Sequence, residues 1–540
     1  MPEVNDAQSR LNPTHVKSIL SPRSEDEVRK AILTAAEAGD SISMAGGRHS
    51  MGGQQFGTGT VHLDLRGMNR IVAFDRQNGL IEVEGGIMWP ELIGYLHADQ
   101  DGSQTIWAVR QKQTGIDQVS IAGSLSSNIH GRGLRFPPFV SDIESFWIID
   151  ADGRLKVCSR TENRELFALA IGGYGLFGVV TRVTIRLVPR SKVKRMVEVI
   201  AVRDLMPRID AAIEDGFVFG DCQYSIDLHG GEEFHPGVFS CYRPVPDDTP
   251  VPEESRHMEA SDWADLYRLA RTNKGKAFAA YKQFYLGTSG QVYWSDAHQL
   301  SNVFDGYDAV VSTDQGTEMI TEVYVDGDSL IPFLIEVRQD FIRHGVDMTY
   351  GTIRFIEPDE ESFLPWATRR SVCIVCNLHV MHTPEGIQKA QADFRRIIDR
   401  VIEHGGRFYL TYHPWATREQ VETCYPRFSE FLDAKLMHDP ESAEGLMAVL
   451  SHPDSSQARP ATAIIAAIDE MGDVNTLANL LGVAGACDTF WRECHSRLPA
   501  VQRPARSLVA RAFGHAACRK RLRLLERTKR LVNLLEAITK

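Results

Sequence analysis

Three glycine-rich segments in the first third of the chain could bind an anion. They read AGGRHSMGG (45–53), GSLSSNIHGRG (123–133) and GGYGLFG (172–178). Backbone N–H groups of small residues can approach an anion closely, and such groups can hold phosphate without a helix dipole. The first two segments could therefore enclose one diphosphate between them. The alternative is that their glycines only serve turns that need a positive φ.

The third segment carries the spacing G-x-G-x-x-G at Gly173, Gly175 and Gly178. That spacing marks a nicotinamide-binding Rossmann site only when a strand precedes it and a helix follows it. Here ENRELFALAI before the segment predicts a helix, and VVTRVTIRLVP after it predicts a strand. The sequence therefore argues against a Rossmann site at this position.

Short strands and helices alternate through the first 190 residues and would position these segments. Ser24 is the expected N-cap of a helix over 24–40 that stops at Gly39. Alternating or apolar runs predict strands over 41–45, 60–65 and 79–87, a helix over 88–100, and a hairpin over 143–159 that turns at Asp152–Gly153. Beyond Pro189, longer strands mix with amphipathic helices such as 384–406, so the fold class is α+β.

The composition of the chain excludes some classes of function. The chain has 540 residues, 43% of them hydrophobic, and a formal net charge of −12. That length can bury a large core in several domains, and the acidic balance argues against nucleic-acid binding by the whole chain. The N-terminus shows no secretory signal, and no run approaches ~18 apolar residues, so no integral membrane segment is expected. We expect a cytoplasmic protein with reduced cysteines.

The quoted segments together resemble the FAD-binding domain of the vanillyl-alcohol oxidase and p-cresol methylhydroxylase (PCMH) family. The resemblance covers residues 15–190 and also includes SPRSEDEVRKAI, VEGGIMWPEL, GIDQVSIAG and ELFALAIGGYGLFGVVT. It implies FAD bound between two α+β subdomains of a PCMH-type fold. The residues that it assigns to the cofactor are Ala45, Gly46, Gly47, Arg48, His49, Ser50, Gly123, Ser124, Ser127, Asn128, His130, Gly131, Gly178 and Val180.

The resemblance gives two of these residues further roles. Family members with a histidine at the position of His49 often bond it covalently to the flavin 8α-methyl carbon. The alternative is that His49 only forms hydrogen bonds around noncovalent FAD. His130 either contacts the cofactor or fixes the turn before Gly131.

Residues 191–440 would form the substrate domain, and YGTIRFIEPDEESFLPWA within it resembles the sugar-alcohol and aldonolactone oxidases. In those enzymes a strand places a carboxylate and an arginine near the substrate. Tyr350, Thr352 and Arg354 share one face of such a strand. Arg354 matches the arginine, whereas Thr352 stands where alditol oxidases carry a glutamate, which puts polyol oxidation in doubt. Alternatively, Arg354 pairs with Glu357 or Glu322 on the surface.

A second candidate lies in RFYLTYHPWAT (407–417), where Tyr409, Thr411 and His413 alternate onto one face and Tyr412 faces the other way. Relatives often carry a lysine or histidine near His413, which could act as a base or polarise the flavin. The alternative is a capping histidine before Pro414. No metal site is expected, because Cys373 and Cys376 lie three apart on a strand and point to opposite faces.

These expectations describe an FAD-dependent enzyme that oxidises a CH–OH group by hydride transfer to flavin N5. The substrate would be a sugar lactone, polyol or related alcohol, and O2 or another acceptor would reoxidise the flavin. The alternatives are a dehydrogenase that passes electrons to a carrier and a flavin-binding protein without activity. Residues 441–540, which nothing in the resemblance covers, read as a helical extension that ends in a basic run.

Overall fold

The computed structural model of the chain describes residues 1–100, 102–229, 236–252, 256–300 and 315–439. The chain divides into two compact units, Met1–Leu432 and Asp433–Lys540. The second unit is described only over residues 433–439, which end the last helix. The expected helical extension over 441–540 therefore lies outside the described residues.

Helices and strands mix along the described chain, as the α+β prediction requires. The strands are β1 Glu3–Val4, β2 Thr14–His15, β3 Ser18–Leu20, β4 Ile42–Ala45, β5 Val61–Asp64, β6 Ile71–Asp75, β7 Leu80–Glu84, β8 Trp107–Ala108, β9 Ile143–Ile149, β10 Leu155–Ser159, β11 Val179–Arg186, β12 Val188–Pro189, β13 Lys192–Ala201, β14 Phe219–Tyr224, β15 Pro236–Val245, β16 Val292–Trp294, β17 Gly316–Val325, β18 Met348–Ile356, β19 Ser371–Met381 and β20 Arg407–Phe408. The helices are α1 Glu25–Ala38, α2 Trp89–Ala98, α3 Ile121–Ser127, α4 Arg164–Ala170, α5 Leu205–Glu214, α6 Ala260–Thr272, α7 Lys274–Leu286, α8 Leu330–His344, α9 Pro384–Glu403, α10 Arg418–Cys424 and α11 Phe428–His438. Among them, no helix is both long and apolar enough to cross a bilayer.

A small parallel sheet, ordered β3-β5-β4, carries the first glycine-rich segment at the end of β4. Helix α1 packs on it through Val28 and Ile32, which join Leu63 in one buried core. The Ser24 side chain caps α1 by accepting from the Glu27 N–H, and the helix ends at Gly39 with a φ of 70°. Both predicted ends of this helix are confirmed.

A five-stranded antiparallel sheet, ordered β10-β9-β11-β7-β6, contains the predicted hairpin of β9 and β10. Helix α4 precedes the third glycine-rich segment and strand β11 follows it. This order is the reverse of the strand-then-helix order of a Rossmann site, so the exclusion drawn from the sequence is confirmed.

An antiparallel eight-stranded sheet, ordered β16-β13-β15-β14-β18-β19-β17-β20, occupies the part of the chain expected to bind substrate. Helix α9 packs on β17, β19 and β20 through a buried apolar stripe that includes Phe394 and Ile397. Since successive strand residues point to opposite faces, the side chains on the other face of β17 and β19 do not contact α9 and pack against other parts of the chain.

The predicted strand around residues 407–413 is shorter than expected, since β20 ends at Phe408. The Tyr409 N–H still donates to Glu322 O at 2.8 Å, but the chain then turns away from β17. Its next carbonyl groups accept hydrogen bonds from the end of the first glycine-rich segment and the residue after it: Thr411 O from the Gly52 N–H, and Leu410 O from Gln54 Nε2. These long-range hydrogen bonds take the place of further strand pairing between β20 and β17. No local sequence pattern encodes them.

Candidate active site

The first glycine-rich segment packs against residues 118–120, which lie just before the second segment. A Cβ atom at Gly46 would stand 2.0 Å from Ser120 Oγ, and one at Gly47 would stand 2.0 Å from the Gln118 carbonyl oxygen. Neither distance allows a side chain, so both positions need glycine because residues 118–120 pack directly on this turn. Because Ser120 is the N-cap of α3, in which the second segment begins, this contact places near each other the two segments that were expected to enclose one diphosphate.

The turn after Ala45 has polar groups without hydrogen-bond partners among the described residues. Arg48 adopts a left-handed φ of 59°, the conformation in which successive N–H groups form an anion-binding nest. In the described part of the chain, the N–H groups of Gly47, Arg48 and Ser50 donate no backbone hydrogen bond. Arg48 Nε is buried with no partner among the described residues. Buried donors normally have acceptors, so this turn fits an anionic group such as the diphosphate of FAD.

The second segment forms the short helix α3, capped by Ser120, which accepts from the Gly123 N–H at 3.2 Å. Ser124 and Asn128, expected at the cofactor, have side-chain partners within the protein. Ser124 Oγ accepts from Trp89 Nε1 at 2.9 Å. Asn128 donates to Asp359 at 2.8 Å, and its Oδ1 accepts from the Val140 N–H at 2.9 Å. These two side chains hold α3 in place.

Three further residues expected at the cofactor have contacts within the protein. Gly131 lies where a Cβ would stand 3.0 Å from Lys112 O. Gly178 has a φ of 138°, and a Cβ there would stand 2.4 Å from Ile149 O. Val180 pairs with Ile148 inside the five-stranded sheet.

Residues 409–412, here called the bridging segment, contact both glycine-rich segments. Thr411 Oγ1 lies 3.4 Å from Ser50 Oγ in the first segment and 3.4 Å from Ser127 Oγ in the second. Tyr409 OH donates to Ser127 O at 2.6 Å. At the far end of the bridging segment, Tyr412 OH accepts from Gln113 Nε2 at 3.4 Å.

A buried group of four residues, here called the Glu322 cluster, joins the second segment to the large sheet. Its members are His130, Glu322, Arg354 and Cys373. The Oε1 atom of Glu322 forms a hydrogen bond with His130 Nε2 and accepts another from Cys373 Sγ at 2.8 Å. His130 Nδ1 lies 3.0 Å from Gly131 O, which orients the ring. Strand register places Arg354 and Cys373 opposite each other, so both side chains occupy the Glu322 face.

Charge pairing keeps the carboxylate of the Glu322 cluster ionised. Burial alone would raise the pKa of Glu322, but the charges of His130 and Arg354, with hydrogen bonds from His130 and Cys373, lower it to about 2. Against the opposing effect of burial, Glu322 raises the pKa of Arg354. Burial and the Glu322 charge raise the pKa of the Cys373 thiol well above its ordinary value, so it stays protonated.

The same cluster offers a metal-like geometry, because ligand atoms of His130, Glu322 and Cys373 lie within 4.8 Å of one another. The Arg354 guanidinium acts on the same carboxylate. A dication placed there would be repelled by that guanidinium and would have to displace the thiol proton. The charges therefore favour a neutral or hydroxyl-bearing ligand at this position.

The candidate catalytic residues predicted from the sequence lie on opposite faces of the eight-stranded sheet. Tyr350, Thr352 and Arg354 lie on β18 as the sequence predicts, but Thr352 Oγ1 donates to Cys222 O at 3.3 Å. Burial raises the pKa of Tyr350, as does the nearby Asp221 carboxylate. His413 lies away from the Glu322 cluster, packed on Phe394 with ring centroids 4.4 Å apart.

The sequence does not identify Glu322 or Tyr412 as site residues. It offers Glu322 only as a surface partner of Arg354, yet the structure buries both side chains. The alternation sets Tyr412 on the face away from the candidate residues, but its side chain lies near the Glu322 carboxylate, which, after burial, raises the pKa of Tyr412. An acidic residue inside the apolar run of β17 was the available signal for Glu322.

Comparison with known proteins identifies the class. Residues 16–159 match the family model described as FAD binding domain. The chain is 23% identical to L-gulono-1,4-lactone dehydrogenase of Mycobacterium tuberculosis over 440 residues, 78% of this chain and 93% of that protein. It is 23% identical to L-gulonolactone oxidase of Mus musculus over 37% of this chain and 43% of that protein. With cytokinin dehydrogenase 5 of Oryza sativa it shares 27% identity over 33% of this chain and 35% of that protein.

The chain is therefore an FAD-dependent oxidoreductase. The resemblance to the PCMH-type family, on its aldonolactone oxidoreductase side, is confirmed.

Proposed function

We propose that this enzyme oxidises a CH–OH group of a sugar lactone or a related alcohol by hydride transfer to FAD. One observation carries the proposal: the bridging segment contacts the two glycine-rich segments and also reaches the Glu322 cluster. A cofactor held by those segments and an alcohol held by that cluster would then be neighbours. FAD supplies the hydride acceptor when bound, and the chain must bind and orient the alcohol.

The cofactor would be held by the first two glycine-rich segments. The unused donors of Gly47, Arg48 and Ser50 suit the diphosphate, and the close packing of residues 46–47 on 118–120 fixes the turn that presents them. Ser127 lies on the same side as Ser50, since both contact Thr411. Ser124 and Asn128 support this arrangement through their bonds inside the protein.

His49 is the residue that a covalent flavin bond would use. Burial lowers its pKa to about 4, so the imidazole is neutral at pH 7, which is the form that can bond to carbon. The C–N bond would replace one C–H bond of the 8α methyl group and one N–H bond of His49. The two electrons and two protons released would pass to O2.

The substrate half of the proposal rests on Arg354 and Tyr350. Both lie on the face of β18 that carries the Glu322 cluster, and the Arg354 guanidinium has a buried Nε with no partner among the described residues. A neutral polyhydroxylated substrate can satisfy such a donor without bringing a charge into the site. The names of the relatives make aldonolactones the first compounds to test.

Anaerobic mixing of the purified flavoprotein with aldono-1,4-lactones and with simple alcohols tests this function. The visible absorbance of the flavin should bleach with at least one lactone, because hydride uptake reduces the cofactor. If no lactone or alcohol bleaches the flavin, the proposed function is wrong. Readmission of O2 then separates an oxidase, which regains its colour at once, from a dehydrogenase, which needs a carrier such as a quinone or cytochrome.

A further inference from the structure

Two buried polar atoms of the Glu322 cluster lack partners within the described residues. The Oε1 atom of Glu322 is engaged by His130 and Cys373, but its Oε2 atom is buried with no hydrogen-bond partner. Arg354 Nε is buried and unpartnered in the same way. The Tyr412 hydroxyl also lies near Glu322, which, after burial, raises its pKa. A buried polar group without a hydrogen-bond partner destabilises the folded state, so two in one cluster indicate a ligand.

The chemistry of the two atoms selects the ligand group. Oε2 of an ionised carboxylate can only accept a hydrogen bond, and Nε of a guanidinium can only donate one. A hydroxyl group does both: its hydrogen can go to Oε2 and its oxygen can accept from Nε. A carbonyl or an ether would satisfy Arg354 but leave Glu322 unmet.

Strand register shows why Glu322 rather than Thr352 offers the carboxylate. Both residues pair with Val375 of β19, from opposite sides, so their side chains share one face of the sheet. Thr352 Oγ1 is bonded to the backbone of β14 through Cys222 O. The glutamate that the resemblance to alditol oxidases places at the position of Thr352 is absent here, and the Glu322 carboxylate lies on the same face, on the other side of β19.

We propose that Glu322 and Arg354 together hold the hydroxyl group that is oxidised, and that His130 positions the Glu322 carboxylate. This rests on the proposed function. The C–H hydrogen leaves with both bonding electrons to FAD, and the O–H electron pair becomes the second C–O bond. The hydroxyl proton passes to Glu322 Oε2. The forming carbonyl makes that proton strongly acidic, so even a carboxylate that is a weak base can accept it.

The test compares Glu322→Gln with Glu318→Gln in the flavin-loaded full-length enzyme. Glu318 is a matched control: it lies four residues earlier on β17, about 13 Å along the strand, is also buried, and its Oε1 lies 2.9 Å from His379 Nδ1. The rate constant of anaerobic flavin reduction by an aldono-1,4-lactone is measured by stopped-flow absorbance. Melting temperature and flavin content are measured alongside.

For Glu322→Gln we expect a fall in that rate constant of about 100-fold or more, as for loss of an acid–base group. Glu318→Gln should stay within about threefold of wild type, and Glu322→Asp should recover part of the loss. A rate within about threefold of wild type in Glu322→Gln would overturn the inference and leave the proposed function standing. A wild-type enzyme that no lactone or alcohol reduces would overturn both.

The variant His130→Gln tests whether His130 positions the Glu322 carboxylate or takes part in the reaction itself. A positioning role predicts that it lowers the reduction rate constant less than Glu322→Gln does, and that the double variant is no slower than Glu322→Gln alone, since both act through one carboxylate. Independent, multiplying losses would contradict the assignment of His130.

Discussion

His130 and Glu322, 192 residues apart in the chain, share a hydrogen bond that ties the second glycine-rich segment to β17 of the eight-stranded sheet. Both side chains are buried, and the same carboxylate also accepts from Cys373. The part of the chain that resembles an FAD-binding domain therefore contributes a side chain directly to the group proposed to hold the substrate.

Arg354→Ala should lower the rate constant of flavin reduction by about 100-fold or more, because the variant loses the donor proposed to hold the substrate oxygen. Flavin content should stay near wild type, since Arg354 is not among the residues proposed to bind the cofactor. Stopped-flow reduction and the absorbance spectrum measure the two quantities. Arg418→Ala, which removes an exposed arginine paired with Glu422, is the control and should leave both unchanged. An equal effect of the two variants would contradict the role of Arg354.

His49→Ala should release the flavin from acid-precipitated protein. The wild-type pellet should keep its flavin, because a C–N bond survives acid whereas noncovalent binding does not. Fluorescence of the pellet and of the supernatant measures the division. Wild-type flavin found in the supernatant would show that His49 makes no covalent bond.

Gly47→Ala should destabilise the protein by about 1–3 kcal/mol and lower its flavin content, since the new methyl group has no room beside a backbone carbonyl. Gly94→Ala is the matched control: Gly94 lies in α2 with nothing within 4 Å of the added Cβ. That variant should be neutral or more stable by up to about 1 kcal/mol, because alanine favours a helix. Urea unfolding and flavin absorbance measure both variants. A flavin content in Gly47→Ala equal to that of wild type would argue against this turn as the diphosphate site.

His413→Phe should reduce the acid sensitivity of the fold. Burial lowers the pKa of His413 to about 3, so the folded protein keeps this histidine neutral while the unfolded chain takes up a proton below about pH 6.5. This site therefore stabilises the folded state less and less as the pH falls from about 6.5 towards 3, by up to about 1.4 kcal/mol per pH unit. The difference in urea midpoint between wild type and variant should grow in favour of the variant between pH 7 and pH 5.

The same variant separates two roles for His413. A buried packing residue predicts flavin reduction within about threefold of wild type at pH 7, whereas a catalytic base predicts a loss of about 100-fold or more. An unchanged pH dependence of stability would contradict the burial argument, whatever the activity.

The sequence predicted the local features well because local rules decide them. The caps of α1, the hairpin of β9 and β10, and the shared face of Tyr350 and Arg354 follow from short-range patterns. The surroundings of Glu322 do not, because they depend on which strands pair and in which register. Alternation correctly separates Tyr412 from His413, but only the β17–β20 pairing and the turn after Tyr409 decide which of them approaches Glu322.

The bridging segment also sets an order of events during synthesis on the ribosome. Ser50 is synthesised 361 residues before Thr411, its partner in that segment. The expected FAD-binding half of the chain thus emerges long before the residues that connect its two glycine-rich turns. A nascent or truncated chain ending near residue 190 would hold flavin loosely, and firm loading would follow only after the polypeptide has extended past residue 412.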